Sequence, residues 1–488
     1  MRLLAQTHPK PEKQITFLYD YAFPNYYLPN ATSMDLFMLN YMNSQHDDAP
    51  SPFTINNHDA VSKLFNNRNY NMAASNHGST LSASCFARII TINCDTMANR
   101  TKYHRYVYPI HLTAHLDHFN GRPEGDNKLS KFKVNGDYFY KFMSEQAIQD
   151  VRSGKATLLL DYGLENWILR TEYEQIHATL DAAGFPAENV VVFINSLNAE
   201  DVYNEWFPDN KRLQVANFPY LMIASSQTYS SGEHSVTEKN LLANKDNLRT
   251  YHYLFKSRRP RFHRQVIGLH LLSKDNLKKG NWSYLRAGEL PDHTLNSLRI
   301  HFPDIDYINM DLVDSFNSML PKTLVGEEDL TEQTVQTWRD SELNIYSNSY
   351  FYICTETGFG WESWHQKREH HILTEKVWKP VANFQPFIFC TVPGTLGRLR
   401  ELGYRTFDGY IDESYDLEPD YNKRMLMILK EIDKLCALPQ EEIHNWYWSQ
   451  WDILVHNQRH LIDQCKFDNA NLLIEPLVRK LPARWINE

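Results

Sequence analysis

The sequence predicts an α/β protein of two domains, each a parallel sheet covered by helices. Three observations carry this. The chain has 488 residues, more than a single hydrophobic core usually organises. From residue 137 onward, apolar runs of strand length alternate with amphipathic stretches of helix length. The strands run on in Val, Ile, Leu and Phe without polar alternation, the pattern of strands buried on both faces.

The elements follow in order. Residues 17–23 (FLYDYAF) and 86–93 (FARIITIN) read as strands within an otherwise irregular first segment, rich in Asn, Tyr, His and Ser. Residues 138–154 read as a helix ended by Gly154, and 155–163 as a buried strand. A helix over 170–184, with Gly184 just past its end, leads to a strand over 188–196. That β-α-β order with short loops indicates a parallel sheet. A further strand is expected within 212–225. The polar, Ser-rich stretch 225–240 is the candidate linker.

A second α/β pattern begins at strand 250–257 and helix 261–277, followed by strand 281–288. Residues 289–342 are acidic and loop-rich, with a helix expected after 326–333. Strand 349–358, helix 373–383, strand 385–393 and helix 394–403 follow, then long helices over 420–438 and 441–463. The expected division is an irregular segment 1–105 packed on a first domain 106–230, a second domain 241–465 and a tail 466–488.

Composition narrows the function classes. Hydrophobic residues make up 42% and charged residues 22%, a globular balance. The formal net charge of -9 argues against a dedicated nucleic-acid binder, which shows a basic face. The six Cys are scattered, with no CxxC pair, as expected of free thiols in a reducing compartment. Residues 1–13 hold no signal-peptide core, and no apolar run is long enough to span a bilayer. A soluble, cytoplasmic protein is expected.

Three stretches carry chemistry. The first is 256–264, with Lys256, Arg258, Arg259, Arg261 and Arg264, placed where a strand gives way to a helix. In an α/β sheet that junction faces the ligand crevice. Helices favour acidic residues in their first turn, because the macrodipole is positive there. An arginine-rich first turn is explained by an anionic ligand, since guanidinium groups present forked donors to phosphate. A solvated basic face is the alternative. The second stretch is Thr374-Glu375-Lys376, with Thr374 as the helix N-cap. Here a carboxylate can accept from hydroxyls, and a lysine can neutralise a diphosphate. The third is Glu356, near the carboxyl end of strand 349–358.

The segment 349–393, with Glu356 at its strand end, Thr374-Glu375-Lys376 at its helix start and a following strand with Pro393, resembles the donor-binding region of fucosyltransferase-like inverting glycosyltransferases. The upstream arginine cluster resembles that family's basic strand-to-helix turn, and similar sequences occur in large tailed phages. The resemblance implies a GT-B-like fold, two Rossmann-like domains facing across a cleft. It implies a nucleotide-diphosphate sugar as donor, with no resident cofactor and no catalytic metal. By the same resemblance Glu375 binds the donor ribose. Lys376 and an arginine among Arg258, Arg259 and Arg261 bind the diphosphate, and Glu356 lies near the donor sugar. Ile372 stands where the family has Tyr, and Thr357 where it has Asn.

An inverting transfer needs a general base on the acceptor hydroxyl. Asp161, ending strand 155–163, and Glu165 just beyond are the candidates, with capping as the structural alternative for Asp161. A second candidate is the stretch around His111, His115, Asp117 and His118. On a helix, 111, 115 and 118 share a face fit for a metal; on a strand, only 111 and 115 do. His115 is the base candidate there. The expected acceptor is a glycan, a protein or a modified base in phage DNA. The competing class is an inactive binding or virion structural protein that keeps the fold.

Overall fold

The structure, a computed structural model, describes residues 14–19, 91–111, 133–134, 137–138, 140, 143–162, 170–208, 213–217, 221–222, 225–226, 229, 235–257, 261–284, 295–324, 344–360 and 370–463. The chain divides into two units, Met1–Leu221 with Lys466–Glu488, and Met222–Cys465.

The first unit is built on β1 (Gln14–Tyr19), β2 (Thr91–Thr96), β3 (Tyr106–His111), β6 (Ala156–Tyr162), β7 (Val190–Ile194) and β8 (Gln214–Asn217). These form one sheet in the order β2-β1-β3-β6-β7-β8, with every pairing parallel. A two-stranded antiparallel pair, β4 (Lys133–Val134) and β5 (Asp137–Tyr138), stands apart from it. The sheet is laid down outward from its middle in both directions, so strand order reverses between β1 and β3. All five residues of β7 are buried, which is why it reads as an unbroken apolar run. Helices α1 (Glu145–Ser153), α2 (Arg170–Ala183) and α3 (Ala199–Trp206) connect or follow these strands.

One expectation is corrected in this unit. The helix expected over 138–154 begins only at Glu145, because Ser144 caps it: its hydroxyl accepts from the Ala147 amide at 3.3 Å. Its end is as read, with Gly154 left-handed at φ 75°. The residues before the histidine-rich stretch are a strand. Tyr106–His111 is paired with β6 along its length, despite Pro109, which cannot donate to a ladder. His111 is therefore a strand end, while His115, Asp117, His118 and Glu165 lie outside the described residues.

The second unit holds β9 (Tyr251–Ser257), β10 (Gly280–Tyr284), β11 (Ser349–Thr355) and β12 (Phe387–Cys390), all parallel, in the order β10-β9-β11-β12. Its helices are α4 (Glu238–Ala243), α5 (Phe262–Ser273), α6 (Leu295–His301), α7 (Met310–Ser318), α8 (Asn344–Ser347), α9 (Glu375–Ala382), α10 (Thr395–Glu401), α11 (Tyr421–Ala437), α12 (Gln440–Trp448) and α13 (Trp451–Asp463). Helix α11 packs on β9 and β12, α12 on β11, and α9 on both β11 and α13. All residues of β11 and β12 are buried between these layers. The stretch expected as one helix over 441–463 is two, α12 and α13, divided at Ser449-Gln450. Helices α6 and α7 occupy part of the stretch read as loop-rich, and the helix expected after 326–333 lies outside the described residues. Among the described residues, no helix is long and apolar enough to cross a membrane.

Candidate functional site

The second sheet also reverses direction, between β9 and β11. In open parallel sheets, the carboxyl ends of the two strands flanking such a reversal diverge, and ligands bind in the gap. Ser257 ends β9 and Thr355 ends β11, so the stretches singled out in the sequence converge on one place.

On the β9 side, Lys256 is half-buried near the strand end. Arg261 is the N-cap of α5 and gives the helix no side-chain cap bond, and the first turn contains no acidic residue. Arg258 and Arg259 lie outside the described residues. His263 and Arg264, in the first turn, are buried and reach across to the end of β11. His263 donates from Nε2 to the Glu356 carbonyl at 2.9 Å, and its ring stacks on Phe359. Arg264 donates from Nη2 to the carbonyls of Thr355 and Glu356 at 3.1 and 3.0 Å. Burial and the neighbouring Arg261 depress the Arg264 guanidinium, while Tyr284, Glu356 and Glu375 pull the other way. The charged groups of both turns are therefore close enough to act on one another.

On the β11 side, Thr374 caps α9, accepting from the Lys376 amide at 3.3 Å. Glu356 is only 3% exposed. Its carboxylate accepts from the Thr374 amide at 3.0 Å and from the Thr374 hydroxyl at 2.9 and 2.8 Å. Lys376 directs its ammonium to Thr374 Oγ1 at 2.9 Å, to Glu375 Oε1 at 3.1 Å and toward Glu356 Oε2 at 3.6 Å. Burial pushes the Glu356 carboxyl above its usual range, with Lys376 opposing. Burial acts likewise on Glu375, but Lys376 and Lys379 outweigh it and hold that carboxyl below its usual range. The second oxygen of Glu375, Oε2, is buried without a hydrogen-bond partner among the described residues.

Two residues that the sequence did not disclose complete this edge. Asp416 reaches back to the start of α10, where its carboxylate accepts from the Leu396 amide at 3.2 and 3.1 Å. Arg424, fully buried, places its guanidinium 4.7 Å from the Phe359 ring centre and donates to the Phe359 carbonyl. Nothing in the local sequence around either residue announces these contacts, since each partner is distant in the chain.

In the first unit, Asp161 lies in β6, one residue before its end, and is paired in register with His111, the last residue of β3. Both positions thus fall at the carboxyl edge of that sheet. Among the described residues, no three His, Cys, Asp or Glu side chains are grouped to hold a metal ion.

No protein family and no curated protein matches the sequence. Solved structures similar to the chain include apo OtsA, at 12% identity and TM-score 0.36, covering 75% of this chain and 73% of that one. An alpha,alpha-trehalose 6-phosphate synthase from Burkholderia multivorans aligns at 9% identity and TM-score 0.34, covering 78% and 72%. A glycosyltransferase from Rickettsia africae ESF-5 aligns at 11% identity and TM-score 0.33, covering 97% and 100%. The α/β fold class stands on the two parallel sheets themselves.

Proposed function

We propose that this chain is a glycosyltransferase using a nucleotide-diphosphate sugar, inverting and independent of a catalytic metal. The observation that carries the reading is the meeting, at the strand reversal between β9 and β11, of a helix start bearing Arg261 and no acidic first-turn residue with the Thr374-Glu375-Lys376 turn. A diphosphate needs cations and free amides; a ribose needs a carboxylate acceptor. Lys376, Arg261 and Lys256 supply the first, with Arg258 and Arg259 as further candidates. Glu375, whose Oε2 has no partner among the described residues, supplies the second. For the general base we assign Asp161, with Glu165 and His115 as the other candidates. The acceptor is a hydroxyl on a glycan or on a modified base in DNA.

The test is a thermal-shift panel of nucleoside diphosphates and nucleotide sugars on the full chain. A ligand at one hundred times its Kd stabilises a folded protein by about 2.7 kcal/mol, a readily measured shift. At least one compound is expected to raise Tm, and the matching nucleotide sugar is expected to release nucleoside diphosphate slowly. A panel without any shift would sink the proposal. A shift without turnover in the presence of acceptors would instead favour an inactive binding protein.

A further inference from the structure

Glu356 follows the last residue of β11, at the strand reversal, and both its backbone and its carboxylate are held by neighbouring elements. Its amide donates to the Cys390 carbonyl at 3.0 Å, fixing it against the end of β12. Its carbonyl receives His263 and Arg264 from the first turn of α5. Its carboxylate receives the amide and hydroxyl of Thr374 from the start of α9, and Lys376 stands 3.6 Å away. One residue is thus tied to both turns that bear the candidate ligand groups. With its side chain 4% exposed, it offers almost no surface to a ligand.

We propose that Glu356 is a positioning residue: it locks the α5 and α9 turns in register with each other and does not itself touch the donor. The carboxylate sets the cap hydroxyl, the cap hydroxyl receives the Lys376 ammonium, and Lys376 is thereby aimed. The chain of contacts makes Glu356 and Thr374 act as one unit, so their removal is expected to be non-additive.

The test uses the full chain in four forms beside wild type: Glu356→Ala, Glu356→Gln, Thr374→Val and the double variant Glu356→Ala/Thr374→Val. Two readouts are taken. Hydrogen exchange of the segment 370–377 is measured without ligand. Affinity for ADP, GDP, UDP and inorganic pyrophosphate is measured by calorimetry, and this second arm rests on the function proposed above. Glu356→Ala and Thr374→Val are each expected to speed exchange at the start of α9 and to weaken diphosphate binding at least ten-fold. The double variant is expected to lose no more than the worse single one. Glu356→Gln is expected to stay within about three-fold of wild type, because the amide oxygen can still accept from the Thr374 amide and hydroxyl. The proposal is overturned if Glu356→Gln loses as much as Glu356→Ala, or if the double variant's loss is the product of the single losses. If wild type binds none of the probes, the functional reading fails, and exchange alone decides the positioning role. Unchanged exchange in Glu356→Ala then overturns it; accelerated exchange restored in Glu356→Gln supports it.

Discussion

Replacing Lys376 with alanine is expected to convert Glu375 from a group whose stabilisation is lost in acid into one whose stabilisation is lost in base. Lys376 Nζ lies 3.1 Å from Glu375 Oε1. At an effective dielectric of about 20, unit charges so placed attract by about 5 kcal/mol. The lysine side chain keeps 24% of its surface in water, so solvent takes a share of this. The expected net loss is about 3 kcal/mol, the lower end of what breaking a buried pair costs. In wild type, the Glu375 carboxyl is pushed up by burial but pulled further down by Lys376 and Lys379. A depressed folded pKa gives stability that is complete above the unfolded value, about 4.3, and lost as pH falls through the folded one. Without Lys376, burial is opposed by Lys379 with less help, and the folded pKa rises. The native state then holds its proton more tightly than the unfolded chain, and stability falls as pH rises. Glu356, already pushed up by burial, loses the same opposing cation and adds to the trend. Urea midpoints for wild type and Lys376→Ala, measured at pH 5 and pH 8 with unchanged m, report the gap directly. It should be wide at pH 8 and narrow at pH 5. An equal gap at both pH values would refute the reasoning.

Two further outcomes are expected. Asp161→Asn should lower kcat by about a hundred-fold or more, the usual reach of a general base, while leaving donor affinity within two-fold; steady-state kinetics with direct titration checks both. Gly403→Ala should lower the unfolding free energy by about 1–3 kcal/mol. Gly403 closes α10 at φ +91°, and an added Cβ would lie 2.8 Å from His460 Nε2. Chemical denaturation reads the loss.

Local signals in the sequence located most strands and most helix ends. Gly154 ends α1 as an αL residue, and Thr374 caps α9 as its position before an apolar helix indicates. Helix starts were less legible where several polar residues compete: Ser144 starts α1, but the aromatic run before it carries the same periodicity. The break between α12 and α13 passed unseen because Ser449-Gln450 contains neither Gly nor Pro, and the apolar spacing continues across it. Helices α6 and α7 are short, seven and nine residues, too brief for periodicity to stand out in an acidic stretch. At the site, residue types and their order along the chain were readable. The contacts were not, because Glu356 and Thr374 are 18 positions apart and are joined only by the fold.

Asp416 has a consequence for which helix start an anion can use. Its carboxylate already occupies the amides that open α10, at the same edge of the second sheet as α5 and α9. The protein has, in effect, seated one of its own anions there. An incoming phosphate meets like charge at α10, whereas at α5 it meets Arg261 and no acidic residue in the first turn. Three helices begin along one edge, and an internal stopper at one of them leaves the choice of berth to the arginine side.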